Sequence, residues 1–389
     1  MIKTLIYRII GPTTFFRIKR VLNKIRSRKP NCSSNRKMSV YSKGYHTTCG
    51  YYDLDPEQNG KLLYGCANRD MTSYDIVLQD LRDGSINIID TTFAVNWQQG
   101  CRLKWIGKAV FFYNVFDGSA YHSIVVNDGK KTTHHLPIYD ADEKYGVSLD
   151  FVRLGHMRPG YGYTLLPKNS ISEESIAITI FNMLDDKILR KITYADIIKA
   201  SGLNPVLQNC YVNHVSISPN GEQFLFFFVE IQGSRHMCYL MVYREGRILL
   251  LEDQLSASHY TWMSNKEILV TAYDDKHQCR YYIYNTEQLN KIPFLGETLI
   301  QDGHPTRINE EQIITDTYPD TAGFQYIKLI NIETGSIETL VSAYSTAKHI
   351  GEQRCDLHPR YSHALNSIFF DADVDGHRRL YEIKLGEKK

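Results

Sequence analysis

His214, His259 and His304 stand 45 residues apart, and His358 follows after a further 54. Imidazole is the side chain that changes charge near neutral pH, so it serves both as a proton acceptor and as a metal ligand. Around these histidines lie segments denser in polar and aromatic groups than strand cores need. They include Trp97-Gln98-Gln99-Gly100, Arg153, and Arg158-Pro159-Gly160-Tyr161-Gly162-Tyr163. Asn213-His214, Arg235, Ser258-His259-Tyr260-Thr261-Trp262, Gly303-His304-Pro305 and the run from Gln353 to Arg360 complete the set. A lone buried histidine is ordinarily a hydrogen-bonded core residue. Four at a regular interval, with several arginines, a glutamine and an aspartate, favour an anion-binding or metal site if they converge. Arg158 and Arg354 would then grip a carboxylate or phosphate in a fork, or else hold neighbouring elements together through buried ion pairs. Asp316 is expected to order a turn.

Convergence requires a scaffold that repeats at the same interval. After residue 44 there is little 3.6-residue periodicity. Short runs rich in Tyr, Phe, Ile and Val alternate with turn signals instead. Ser73–Leu81 precedes Asp83-Gly84, Ala109–Phe116 precedes Asp117-Gly118, and Ser123–Val126 precedes Asp128-Gly129. Gln223–Val229 follows Asn220-Gly221, and Ser367–Phe370 precedes Asp375-Gly376. Asx-Gly pairs supply the positive φ of tight hairpin turns. One short helix is expected near Tyr194–Ser201. A repeat of about 40–50 residues built from four short strands is the signature of a propeller blade. The sequence therefore predicts an all-β fold, a seven-bladed β-propeller over residues 44–389, with one histidine per blade lining the central channel on one rim.

Composition narrows the function. The chain has 389 residues, 43% hydrophobic and 23% charged, with 27 Tyr against 16 Phe and 3 Trp. That balance suits a folded chain with a sizeable core and no run of about 20 apolar residues that would span a bilayer. The net charge of +2 hides an asymmetry: residues 1–52 hold 12 Lys and Arg and no acid. The remaining 33 basic and 43 acidic residues give the body a net charge of −10, which argues against nucleic acid as a partner. Eight scattered cysteines without a CxxC pair read as reduced thiols in a cytoplasmic protein. Residues 1–43 are expected to be a basic amphipathic helix and a linker. Phe15, Ile18, Leu22 and Ile25 form the apolar face, and Arg8 with Gly11-Pro12 breaks any signal-peptide core. Such a helix, over residues 1–28, suits an anionic membrane surface, placing the protein on the inner face of the cytoplasmic membrane. A propeller closes its own sheet edges, so a monomer is expected.

Asp302-Gly303-His304-Pro305, Thr315-Asp316-Thr317-Tyr318-Pro319 and Asp356-Leu357-His358-Pro359-Arg360 resemble the oligogalacturonate lyases, seven-bladed propeller enzymes of pectin breakdown. A sister group of bacterial propeller proteins, associated with surface-polysaccharide functions, resembles the chain further through WQQG, RPGYGY and SHYxW strings. The resemblance runs from about Trp97 to Tyr381 and leaves out the N-terminal tail. It implies a divalent metal, manganese, at His304, Gln353, Asp356 and His358. It implies His259 as the catalytic base, with Arg235 assisting. At Asp356 the lyases carry a histidine; an aspartate can bind manganese or pair with Arg354 and Arg360. The candidates for substrate contact are Trp97, Gln98, Arg153, Arg158, Tyr161, Asn213, His214, Arg354 and Arg360.

Three readings follow. The first is a glycan-active protein with a central-funnel site for an acidic oligosaccharide or polysaccharide, performing metal-assisted, lyase-type β-elimination. The second is a membrane-face protein of surface-polysaccharide biosynthesis that binds or transfers sugar. The third is a non-catalytic propeller scaffold. The first needs His259, His304 and His358 on one cavity; the third needs the polar clusters to satisfy one another.

Overall fold

The computed structural model describes residues 31–51, 55–346 and 348–388, together with Ile18. Apart from Ile18, the expected N-terminal amphipathic helix lies outside these residues. Seven antiparallel sheets follow one another around a central channel. Blade 1 runs from His46 to Thr92, blade 2 from Lys104 to His134, and blade 3 from Asp140 to Thr193. Blade 4 covers Cys210 to Glu252, blade 5 Ser256 to Pro293, blade 6 Thr306 to Tyr344, and blade 7 Arg360 to Lys388. The first strand of each blade lines the channel. The second strands are buried on both faces and read as continuous apolar runs, as in Gln223–Gln232 (QFLFFFVEIQ).

The hairpins turn where the sequence placed them. Val110–Phe116, Tyr121–Asn127 and Ser367–Ala372 are strands. Asp128 and Gly129 both have positive φ, at 47° and 80°, as a two-residue hairpin turn demands. Among the described residues from 31 onward there are two α-helices: α1 (Phe151–Met157), which the sequence does not announce, and α2 (Tyr194–Ser201), which stands where the sequence places a helix. Thr193 and Asp196 form a capping box at the start of α2, and Gly202 ends it at φ 67°. Among the described residues no helix is long and apolar enough to cross a membrane.

The ring is closed by the N-terminal segment. Arg36–Tyr41 is the outer strand of blade 7, pairing Met38 with Ile383 and Tyr41 with Leu380. Cys32–Ser34 adds a fifth strand to blade 6, pairing Cys32 with Ala343. The stretch expected to be a linker up to Lys43 thus contributes two propeller strands. Charge pattern hid them: Arg36 looks like part of the basic tail, yet it is 7% exposed, paired to Glu338 at 2.8 Å and to the Leu385 carbonyl at 3.1 Å. A chain beginning at Gly44 is therefore expected to lose on the order of 5 kcal/mol, at about 1 kcal/mol per strand hydrogen bond. Relative to a chain beginning at Asn31, its melting midpoint should fall by roughly 6 °C; equal midpoints would mean that these strands do not close the ring.

Candidate active site

The period of the histidines becomes a cluster because each stands at the same end of an innermost strand. In blade 4 the pairing slips between Asn213 and Ser216, and His214 takes φ 54°. In blade 5 it slips between Ala257 and His259. Such bulges re-aim a side chain, here into the channel. His304 and His358 each precede the first strand of their blade by two residues, His358 at φ 46°. The His259 and His304 ring centroids are 4.0 Å apart, and those of His304 and His358 4.2 Å. Tyr51 completes the arc, with its ring 4.8 Å from that of His358 and its hydroxyl 2.8 Å from His214 Nε2.

Two carboxylates set the histidines. Asp302 accepts from Ser258 Oγ (2.7 Å), Thr271 Oγ1 (2.7 Å), Tyr273 Oη (3.0 Å) and the Gly303 backbone N–H (2.9 Å). It also faces His259 Nδ1 at 3.1 Å. Burial would raise the Asp302 carboxyl, but His259 and these donors outweigh it and hold it below its usual range. His259 itself is lowered by burial and by neighbouring His304, which favours the neutral imidazole, and a proton on Nδ1 is the tautomer that Asp302 favours. Asp316 accepts from the backbone N–H of His304 (2.8 Å) and of His358 (2.9 Å) and bonds His304 Nδ1 at 2.9 Å. It orders two ligand-bearing loops at once, more than the turn expected of it. Burial alone would lower His304; Asp316 reverses the shift and raises it. His358 is held well below its ordinary value by burial first and then by His304.

His304, Asp356 and His358 offer donor atoms that all lie within 4.8 Å of one another. Two imidazoles and one carboxylate suit a divalent transition metal such as manganese or iron. Asp356 is also held by Arg354, Nε to Oδ1 at 2.5 Å and Nη2 to Oδ2 at 2.8 Å. Ligating carboxylates are normally hydrogen-bonded in this way, and each oxygen keeps a lone pair. The Arg354 guanidinium outweighs burial and keeps the Asp356 carboxyl below its usual range. The residues therefore fit a cation.

Beside this buried cluster opens a cavity of about 480 Å³, which His259 lines and His304, Asp356 and His358 do not. His259, Arg235, Arg158, Tyr161, Asn213, His214 and Arg354 all line it. Arg158 stacks on Tyr161 at 5.1 Å and Arg354 on Tyr318 at 4.4 Å. The other candidates for substrate contact are placed elsewhere. Trp97 Nε1 donates to the Arg354 carbonyl (3.1 Å), and Gln98 Nε2 to the Glu352 and Arg354 carbonyls (2.9 and 3.1 Å), so both hold the loop that carries Arg354. Arg153 is 2% exposed and donates from Nε to the Cys210 carbonyl and from Nη2 to the carbonyls of Leu207 and Gln208. Arg360 is fully buried, bonded to the carbonyls of Gly50 and Tyr51 and to Asp371. Gln353 sits exposed on the short turn Gly351–Gln353, away from the cavity lining. In the RPGYGY string, Gly162 serves packing: a Cβ there would lie 2.2 Å from the Gly155 nitrogen of α1.

No family model and no curated protein matches the sequence. Solved structures do match the fold. A manganese complex of oligogalacturonate lyase superposes with a TM-score of 0.62 at 13% identity, covering 92% of this chain and 98% of the other. Oligogalacturonate lyase from Vibrio parahaemolyticus gives 0.60 at 11% identity, covering 92% and 99%. The β-propeller domain of the trilobed protease from Pyrococcus furiosus gives 0.51 at 11% identity, covering 90% and 96%. At these identities the likeness is one of fold.

Proposed function

We propose that the cavity binds an acidic saccharide and that His259 removes a proton from it in a metal-assisted β-elimination. One observation carries the reading: an imidazole backed by a buried carboxylate packs against a two-histidine, one-carboxylate donor set and itself lines a cavity with three arginines. The fold likeness to oligogalacturonate lyases, one of them a manganese complex, supports the same choice of chemistry.

The chemistry asks for these groups. The hydrogen next to a uronate carboxylate is weakly acidic, so its removal needs a base with a pKa near the working pH and positive charge on the carboxylate. Nε2 of His259 takes the proton while Asp302 fixes the tautomer and steadies the imidazolium that forms. The electron pair left behind forms a carbon–carbon double bond as the glycosidic oxygen departs from the β carbon; that oxygen takes a proton from water, and the resulting hydroxide takes the proton held by His259. Arg235, Arg158 and Arg354 bind and orient carboxylates along the saccharide. Held by His304, Asp356 and His358, a divalent cation such as manganese would supply further positive charge to the carboxylate.

The test is incubation of the purified protein, with manganese, on uronic-acid oligosaccharides and on neutral ones of equal length. Growth of the ultraviolet absorbance of an unsaturated uronate, with acidic substrates alone, is the expected result. Saturated products, or no acidic saccharide either turned over or bound, would overturn the reading.

A further inference from the structure

The innermost strands have two ends, and the histidine site uses one. In blade 4, Tyr211, Asn213 and His214 face the cavity described above, while Val215, Ser216, Ile217 and Pro219 face another. In blade 5 the division falls between His259 and Tyr260, and in blade 6 Asp302 lies on one side and Arg307 to Glu310 on the other. The second cavity, about 580 Å³, thus occupies the opposite mouth of the channel. Tyr51 lines it and its hydroxyl lies 2.8 Å from Nε2 of His214, which lines the first cavity, so one side chain reaches both.

Arg102 is the feature of this mouth that packing does not account for. It is 6% exposed and lines the cavity. Its backbone sits at φ 60°, a strained conformation for a non-glycine residue. Its Nε donates to the Tyr139 carbonyl at 2.7 Å and its guanidinium lies 4.2 Å from the Tyr139 ring centroid. The two terminal nitrogens make no hydrogen bond or ion pair among the described residues. The acid nearest in sequence to this wall, Asp140, is already occupied by Lys104 and by the Ile217 backbone N–H. Across the cavity Arg307 likewise spends only its Nε, on the Asn309 carbonyl at 3.2 Å; the exposed Glu310 stands on the rim. Tyr260 and Trp262, each almost buried, supply aromatic wall.

We propose that this mouth is a second binding site, for an oxyanion carried on a small, sugar-sized molecule, with Arg102 as the buried fork and Arg307 as the outer clamp. Paired guanidinium nitrogens match a carboxylate or phosphate edge, and the aromatic wall suits a ring beside it.

The test is calorimetric titration of the full chain with inorganic phosphate and, separately, with galacturonate. We expect at least one of them to bind wild type and to bind about tenfold more weakly to Arg307→Gln, the value of losing a charged hydrogen bond. Arg102→Lys, which keeps the charge but loses the fork, should weaken it similarly, while His259→Gln leaves it unchanged. Loss confined to phosphate identifies a phosphorylated ligand, and loss confined to galacturonate a carboxylate. No binding of either to wild type, or equal binding to wild type and both arginine variants, would overturn the proposal. Binding that is lost in Arg235→Gln but kept in both mouth variants would place the ligand in the first cavity and overturn the proposal, whatever the elimination assay shows.

Discussion

Replacing His259 with glutamine is expected to lower formation of unsaturated product by about 10²–10⁴-fold, the usual worth of a positioned base. The loss should fall on kcat, because in the proposed reaction His259 acts on the reacting proton while Arg235, Arg158 and Arg354 would remain to bind the saccharide. Folding should survive. Asp302 keeps Ser258, Thr271, Tyr273 and the Gly303 N–H as donors after the imidazole is gone. Steady-state rates, with a melting curve as control, check this. Activity within threefold of wild type would remove His259 from the chemistry.

The second large effect concerns stability. Asp371 is fully buried and accepts from Arg360 (3.2 Å), from Arg378 (Nη2, 2.7 Å) and from Thr48 of blade 1 (2.8 Å). Both arginines are themselves fully buried. Arg360 reaches on to the carbonyls of Gly50 and Tyr51, and Arg378 to that of Trp97. This one carboxylate therefore ties blade 7 to blade 1 and to the loop that supports Arg354. Asp371→Asn keeps the shape but leaves two buried guanidinium groups without their counter-charge, at a cost of about 3–5 kcal/mol. A fall of roughly 5 °C in the melting midpoint is expected. A change of under about 2 °C would show that the pairing contributes specificity of closure and little stability.

How far the sequence carried the account depends on what each signal encodes. Blade architecture was legible because alternating Tyr, Phe, Ile and Val runs ended at Asx-Gly turns, and those pairs do turn the chain. The α2 helix announced itself through Thr193, Asp196 and Gly202. The α1 helix carried a cap as well, Asp150, and a stop at Pro159, but at seven residues it is too short for an apolar period to register. The strand Arg36–Tyr41 was hidden by its charges.

At the site, the four-histidine interval located the cluster because equivalent positions in successive blades meet at the channel. Arginines were harder. Arg158, Arg235 and Arg354 line the cavity, whereas Arg153 and Arg360 lie beneath the surface on backbone carbonyls. Residue type alone does not distinguish a ligand-facing guanidinium from one that ties loops together. Trp97 and Gln98 act one step behind the cavity wall for the same reason. Asp302 and Tyr51 went unmarked, although Asp302 stands two residues before His304 in the same DGHP string. An acid that close to a candidate ligand is a natural orienting partner.

The central claim is that His304, Asp356 and His358 hold a divalent cation beside His259. Elemental analysis after incubation with manganese and removal of free ion tests it most directly. The account predicts about one ion per chain in wild type and in His259→Gln, and almost none in His358→Ala, where one of three ligands is gone. A wild-type chain that retains no manganese, or a His358→Ala chain that retains all of it, would contradict it.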